Sequence, residues 1–407
     1  MASVTPGTPS LLRAMNDRAA LELLLAHGPL SRTRIGRLTG LSKPTASQLL
    51  ARLEAAGLVV ATGTAGGRPG PNAQLYALNA AAAHVAGLDV TPERILAAVA
   101  DLTGEVSGTF ELPTRGRPGP VVDQVTEALD GAARAAGLPA SALHRLVIAT
   151  PGAFDPHTGA LRYASHLPGW HSPTLLDELA AALPMPVEYE NDVNLAAVAE
   201  QRLGAARGHK DFVLLWNQEG LGAALVLGGR LHRGWTGGAG EVGFLPVTGH
   251  PLVRQVTRAN SGGYQELAGV QVVPALAARL GIEPPEPAGE PSAYGAQVAT
   301  AVALLAEAAA RPEGARLELL RCYATALATG LASLVAVLDP EIVVLSGAVL
   351  GAGGEPLHEL LTSELADLAP SRPRLVVGEV REQPVLRGAL ESALAATRDE
   401  VFDTSRR

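Results

Sequence analysis

The chain has 407 residues, 47% of them hydrophobic, and a net charge of −8; it is too long for one small domain and too apolar for a disordered chain, and it predicts a small head followed by a body of two lobes. Its single cysteine, Cys322, excludes an internal disulfide and a cysteine-built metal site and is expected to be a small buried apolar residue. With neither a run of 18 uncharged apolar residues nor a basic-then-apolar leader, the sequence predicts a cytoplasmic protein with no membrane partner.

Residues 11–26 place Leu11, Leu12, Met15, Ala19, Leu23 and Leu24 at helical spacing, a stripe expected to pack beneath the helices that follow. Residues 31–60 then read as two short amphipathic helices about a tight turn, with a strand after them. Ile35 and Leu38 mark one face of the first helix, and Gly40 in Thr39-Gly40-Leu41 supplies the positive φ of the turn. Ser42 is the N-cap of the second helix, and Pro44 lies in its first turn, where a missing N–H costs little. Ala46, Leu49, Leu50 and Leu53 should face inward, leaving Lys43, Thr45, Ser47, Gln48 and Arg52 outside. Short hydroxyl, amide and basic side chains near the start of such a helix suit base edges and phosphates. Ser42, Lys43, Pro44, Thr45, Ser47, Gln48 and Arg52 are therefore the candidate DNA contacts of a helix-turn-helix; the plainer alternative is a helical hairpin with a solvated polar face.

Leu58-Val59-Val60 and residues 74–78 flank a Gly-rich stretch at 62–70, the pattern of a β-hairpin wing. At its tip Arg68 sits among glycines and proline, slim enough to enter a narrow minor groove, although the tip also reads as a flexible loop. Residues 1–79 hold eight Lys/Arg against three Asp/Glu, a balance of +5, which leaves −13 for the remainder. A basic head on an acidic body predicts that the head meets phosphate and the body does not.

Beyond Asn79 the periodicity changes. Residues 84–90 and 94–100 form two strands about a Thr91-Pro92-Glu93 turn. Residues 212–216 and 221–227 repeat that shape about Gln218-Glu219-Gly220, and Gly228-Gly229 turns into Arg230-Leu231. Two such hairpins about 125 residues apart predict two lobes built on one plan. A strand at 146–149, a helix at 174–182, a strand at 187–189 and a helix at 195–207 alternate between them; helices dominate 298–338, before a strand at 342–345. Such alternation predicts α/β layers with a ligand in the crevice between the lobes. The Pro/Glu-rich residues 283–292 are a surface loop.

Pro151-Gly152, Leu167-Pro168-Gly169-Trp170, Glu190-Asn191-Asp192 and the run from Gly237 through Glu241 to Gly243 follow the winged helix-turn-helix in a definite order. Together, over essentially the whole chain, they resemble the ROK family of bacterial sugar-responsive repressors and sugar kinases. The resemblance implies an α/β fold: an N-terminal winged helix-turn-helix DNA-binding domain (residues 1–79), then a two-lobed actin-like ATPase (sugar kinase/ROK) domain (80–400, with lobes about 80–195 and 196–400). It also implies that Asp192 corresponds to the base that acts on a sugar hydroxyl in the kinases, and that Asn191 holds neighbouring hydroxyls. A carboxylate is apt for accepting a hydroxyl's hydrogen bond or proton. Asn191-Asp192 also reads as a helix N-cap before Leu195, and the two roles are compatible. Glu241 and Glu266 match two further sugar-contacting acids, and His166 stands where the family has a sugar-contacting Asn.

The departures from the family pattern are informative. The first phosphate turn, DxGGT-like in nucleotide-binding members, reads Asp89-Val90-Thr91-Pro92-Glu93; the second, normally GTGxG, reads Gln218-Glu219-Gly220-Leu221-Gly222. Lost glycines and added acids oppose a triphosphate, so no nucleotide cofactor and no catalytic residue are expected. Ser346-Gly347-Ala348 resembles a fragment of the nucleoside-binding turn, but so short a match reads more readily as a helix-start turn. The family's zinc ligands would fall at Phe244 and at about Thr257, Ala259 and Tyr264, none of which ligates zinc as thiolate or imidazole does; no metal is expected. The residues and the resemblance together imply a DNA-binding regulator of carbohydrate-related genes, a repressor acting as a homodimer or higher homo-oligomer on a double-stranded operator with a sugar or sugar derivative as effector, and residues 302–338 are the candidate partner surface. A ligand-independent dimeric repressor and a bifunctional sugar kinase are the alternatives.

Overall fold

The computed structural model describes residues 9–65, 73–115, 117, 119–155, 157–162, 167–254, 262–285 and 295–404. The head comprises α1 (Pro9–His27), β1 (Leu30–Ser31), α2 (Arg32–Thr39), α3 (Lys43–Ala55), β2 (Val59–Ala65) and β3 (Ala73–Leu78). Its turn is built as the sequence requires. Gly40 closes α2 at φ 72°, and the Ser42 side chain accepts from the Thr45 N–H at the start of α3. Strand β1 pairs with β3, which also pairs with β2, so the wing has a third strand that the sequence reading lacked.

Two expectations for the head are corrected. The buried face of α1 is Asp17, Ala20, Leu21 and Leu24, whereas Leu11, Leu12 and Met15 are about half exposed. In α2, Ile35 is buried but Leu38 is 40% exposed, and Gly36 takes its place inside. The choice of face is tertiary: the head's core is completed by Ala83, Leu102, Val401 and Phe402, which come from beyond residue 79.

The body has two five-stranded sheets of matching order. The first-lobe elements are β4 (His84–Val90), β5 (Arg94–Asp101), β6 (Val106–Pro113), α4 (Val121–Ala135), β7 (Leu143–Thr150), the small hairpin β8 (Ala153–Asp155) and β9 (Ala160–Arg162), α5 (Leu175–Ala182), β10 (Val187–Asn191) and α6 (Asp192–Leu203). The second-lobe elements are β11 (Phe212–Asn217), β12 (Leu221–Leu227), β13 (Arg230–Leu231), α7 (Gly263–Ala268), α8 (Val272–Arg279), α9 (Ala296–Ala310), α10 (Gly314–Leu338), β14 (Ile342–Ser346), α11 (Ala348–Ala352), α12 (Gly354–Leu368) and β15 (Arg374–Val377). The last helix is α13 (Pro384–Val401).

Read from one edge, the sheets run β6-β5-β4-β7-β10 and β13-β12-β11-β14-β15, each with three antiparallel strands and then two parallel ones. The two predicted hairpins are the equivalent pairs β4–β5 and β11–β12. Strand β6 and helix α4 were absent from the sequence reading. Helix α13, which chain order assigns to the second lobe, instead packs on α6, β4 and β7 of the first.

Helix α10 is long and apolar enough to cross a membrane by length and composition, but half of that window is buried within the protein. Leu319, Leu320, Tyr323, Leu327 and Leu331 of this helix lie in the second lobe's core, as do Leu304 and Leu305 of α9. The apolar faces proposed for a partner at 302–338 are thus largely used inside the lobe. Cys322 is partly exposed rather than buried, with its thiol 3.5 Å from a Glu318 carboxylate oxygen one helical turn away.

Candidate functional site

Helix α3 and its N-cap carry the described candidate DNA contacts, though not all of them freely. Helix α3 seats Ala46, Leu49, Leu50 and Leu53 in the core at 2% exposure or less, which turns Lys43, Pro44, Thr45 and Gln48 outward. Ser42 is the N-cap, and its hydroxyl lies 2.8 Å from that of Thr45. The Ser47 hydroxyl donates to the Lys43 carbonyl and accepts from the Arg32 guanidinium, so Ser47 is engaged within the head. Arg52 is paired with buried Asp17 at 2.7 Å, a helix-to-helix tie that local sequence spacing does not reveal. Arg68 lies outside the described residues.

In the body, parallel pairing of β10 with β7 places Asn191 opposite Thr150, and the chain passes directly from Asn191 into α6. Asn191 is the N-cap, its side-chain oxygen accepting from the Asn194 N–H, while its amide nitrogen donates to the Gly152 carbonyl and to Asp192, each at 3.0 Å. Asp192 also accepts from the Val193 N–H at 2.8 Å. The capping role is therefore realised at the strand-to-helix junction. Behind them, Phe154 and Trp170 flank the Tyr189 ring at centroid distances of 5.5 and 6.1 Å, and Trp170 gives the Leu167-Pro168-Gly169-Trp170 motif a packing function.

The charge environment of Asp192 is unusual. Burial pushes its carboxyl up to about 8, and the negative fields of Asp89, Glu219 and Glu241 act in the same direction. Burial also pushes Glu241 up to about 7. Glu219 is raised by burial, with Asp89 and Glu93 adding to it, and Asp89 is raised by burial against the opposing effect of Arg94. The first and second turns therefore meet around Asp192 as a cluster of acids. Glu266, on α7, shows no contact with this cluster among the described residues. His166 lies outside those residues.

Several backbone donors of the two turns are already committed. The Thr91 hydroxyl accepts from the N–H groups of Glu93 and Arg94, and the Arg94 carbonyl takes the Thr91 N–H. In the second turn the Gln218 N–H donates to the Gly220 carbonyl, and the Leu221 N–H donates to the buried Gln265 side chain at 2.7 Å. A phosphate group approaching here would meet carboxylates and few unpaired donors. The residues present do not fit a nucleotide's phosphates.

The zinc positions do not fit a metal either. Tyr264 is wholly buried, its hydroxyl donating to the Leu327 carbonyl at 2.6 Å, and its ring covers Gly330 so closely that a Cβ there would lie 2.3 Å from it. Phe244 carries no metal-ligating atom, and Thr257 and Ala259 lie outside the described residues.

Contacts that the sequence reading missed join the lobes across the crevice. Arg233 donates to Glu190 at 2.6 Å, and Glu190 also accepts from the Asn194 side chain and the Asn191 N–H. Nearby, His157 stacks on Trp235 with ring centroids 4.2 Å apart. Each pairs a first-lobe residue with one from the loop after β13, so no short-range pattern announces it.

The sequence pattern of the ROK family matches residues 85–396, and that of the MarR family matches residues 16–68. This chain belongs to the ROK family. As a ROK protein it is similar to a glucokinase of Streptomyces coelicolor, at 29% identity over 162 residues that span 39% of the chain and 48% of that protein. It is also similar to a xylose repressor of Caldicellulosiruptor bescii, at 26% identity over 245 residues that span 59% of the chain and 61% of that protein. The ROK chain thus spans about half the length of the curated relatives it matches. In structure it resembles a ROK family transcriptional regulator described as a homologue of the E. coli MLC protein, with a TM-score of 0.71, 20% identity, and coverage of 97% of this chain and 98% of that one. That likeness runs through head and body together and shows a shared fold.

Proposed function

We propose that this protein is a DNA-binding transcriptional regulator, a cytoplasmic repressor of carbohydrate-related genes, whose crevice binds a sugar or sugar derivative as effector and does not phosphorylate it. The observation that carries this reading is the pairing of an exposed polar recognition helix with a hydroxyl-binding constellation whose phosphate side is closed. Lys43, Thr45 and Gln48 stand outward on α3, and Asn191, Asp192 and Glu241 offer amide and carboxyl groups to hydroxyls. His166 and Glu266 complete the proposed sugar contacts. The Thr91 hydroxyl and the Gln265 amide occupy backbone donors that a nucleotide would need. The similarity to a protein named as a xylose repressor agrees with this reading.

Control follows from a shift between states. An effector that fits one angle of the lobes better than another favours that angle in proportion to its differential affinity. Two heads on two half-sites recover the affinity that one short helix lacks, so a homodimer is the working form.

The test is binding of the purified protein to DNA upstream of its own gene, by anisotropy at fixed salt, with a panel of hexoses, pentoses and their N-acetyl and phosphate derivatives. Binding weakened by one sugar supports the whole reading. Binding that no sugar alters leaves a ligand-independent repressor. No binding, or ATP-dependent phosphorylation of a sugar, overturns it.

A further inference from the structure

The head does not hang from a free linker. Its core contains Leu102, Val401 and Phe402, all at 6% exposure or less, so the end of α13 is part of the head's interior. Around that point Arg18 pairs with Asp399, Arg398 donates to the Leu102 carbonyl at 3.1 Å, and the Thr404 hydroxyl donates to Asp17 at 3.1 Å. Asp17 is 4% exposed, and its other carboxylate oxygen holds Arg52 of the recognition helix α3. One buried carboxylate therefore ties α3 to the residues that follow α13.

The opposite end of α13 reaches the crevice. Gly388 presses so tightly on the first turn of α6 that a Cβ there would stand 1.8 Å from the Leu195 carbonyl oxygen. A second tie runs through Arg145 on β7, which is 9% exposed and pairs at once with Glu188 of β10 and Glu400 of α13. Glu188 lies on the strand that ends at Asn191, and Glu400 precedes Val401 in the head's core. Along α13, Gly388 and Glu400 are separated by about 18 Å, and a close-packed helix of low compressibility transmits a displacement from one contact to the other.

We propose that α13 transmits the state of the crevice to the recognition helix, with Arg145 and Asp17 as its two positioning residues. Arg145 couples α13 to the strand that carries Asn191; Asp17 couples the end of α13 to Arg52 on α3. This rests on the proposed function, because it assumes that the crevice and the DNA face are coupled. Coupling between two sites is reciprocal. A body that controls DNA binding must itself respond when DNA binds, and this response is measurable before the effector is identified.

The experiment is amide hydrogen exchange on the full chain, with and without DNA upstream of its own gene, for the wild type and two variants. Arg145→Met leaves Glu188 and Glu400 with half or more of their side-chain surface in solvent, so it strands no buried charge. Asp17→Leu removes both acceptor oxygens at similar volume and leaves Arg52 at a partly exposed position. Should Asp17→Leu fail to fold, Thr404→Val removes the tie to the end of α13 from the other side.

In the wild type, DNA should slow exchange in residues 43–55 and also change it by about threefold or more in residues 384–404 and 188–195. Arg145→Met should retain the response in 43–55 and 384–404 and lose most of that in 188–195. Asp17→Leu should confine the response to the head. A merely structural role would alter stability without selectively removing these distant responses. If DNA binds and the wild-type response stays within the head, or if both variants transmit as the wild type does, the relay is wrong while the proposed function stands. If this DNA does not bind, both fall.

Discussion

Replacing Asp192 by Asn tests whether the crevice holds its acids at a cost to folding. Asp192 Oδ1 accepts from the Val193 N–H and the Asn191 side chain, and an Asn at 192 can keep both bonds through its own oxygen while removing the charge. The carboxyl is raised from 3.8 to about 8. Below about pH 4 the folded and unfolded states are both protonated at this residue. Between about pH 4 and pH 8 the unfolded chain releases the proton while the folded protein keeps it, so stability falls as pH rises across that window. Above about pH 8 both states are ionised and the loss stays constant.

At about 1.4 kcal/mol per pH unit, the full shift sets a ceiling of about 6 kcal/mol. Asp192 is only partly enclosed and shares its field with Asp89, Glu219 and Glu241, and water and relaxation reduce the ceiling to an expected ~2 kcal/mol. For a body of this size ~1 kcal/mol corresponds to ~1.5 °C of melting temperature. Asp192→Asn should therefore melt about 3 °C above the wild type at pH 9 and within about 1 °C of it at pH 4. Differential scanning calorimetry across pH 4–9 measures the difference. A variant equally stable at both pH values relative to the wild type, or less stable at pH 9, would refute the argument that burial and neighbouring acids oppose ionisation at this position.

Four other outcomes are expected. Gln48→Ala should leave the melting curve unchanged and reduce discrimination between the operator and a base-substituted site by about 1–2 kcal/mol, read by competitive anisotropy. Arg68→Ala should weaken binding to all sequences alike and lower the slope of log affinity against log salt by about 1, if the wing tip meets phosphate. Asp192→Ala should abolish the effector response while basal DNA affinity stays within about twofold of the wild type, as measured by titration with and without the active sugar. Gly388→Ala would place a Cβ 1.8 Å from the Leu195 carbonyl oxygen; α13 must move to relieve it, at about 3 kcal/mol and about 4–5 °C of melting temperature in a thermal scan.

Much of the head was legible because its signals are local. The Ser42 cap, Pro44 in the first turn, the positive φ at Gly40 and the spacing of Ala46, Leu49, Leu50 and Leu53 each act within a few residues, and all are realised. The two hairpins of the body were legible for the same reason, since strand, turn and strand are contiguous. The Asn191 N-cap was legible because it sits where a strand becomes a helix, whereas the sugar role of Asn191 and Asp192 rests on the family resemblance of a short motif.

Local sequence determined the recognition helix, the paired hairpins and the residue types available to the crevice. It could not choose which face of α1 is buried, because Leu11, Leu12, Leu21 and Leu24 are comparable as apolar side chains and only the arrival of Val401 and Phe402 selects Leu21 and Leu24. Nor could it assign Arg52 to Asp17, the Leu221 N–H to Gln265, or Arg233 to Glu190, since each bond joins segments far apart in the chain. The tertiary structure decided these, and with them the placement of α13 between crevice and head. Burial and long-range hydrogen bonding depend on what the rest of the chain brings alongside, and periodicity contains no information about that partner.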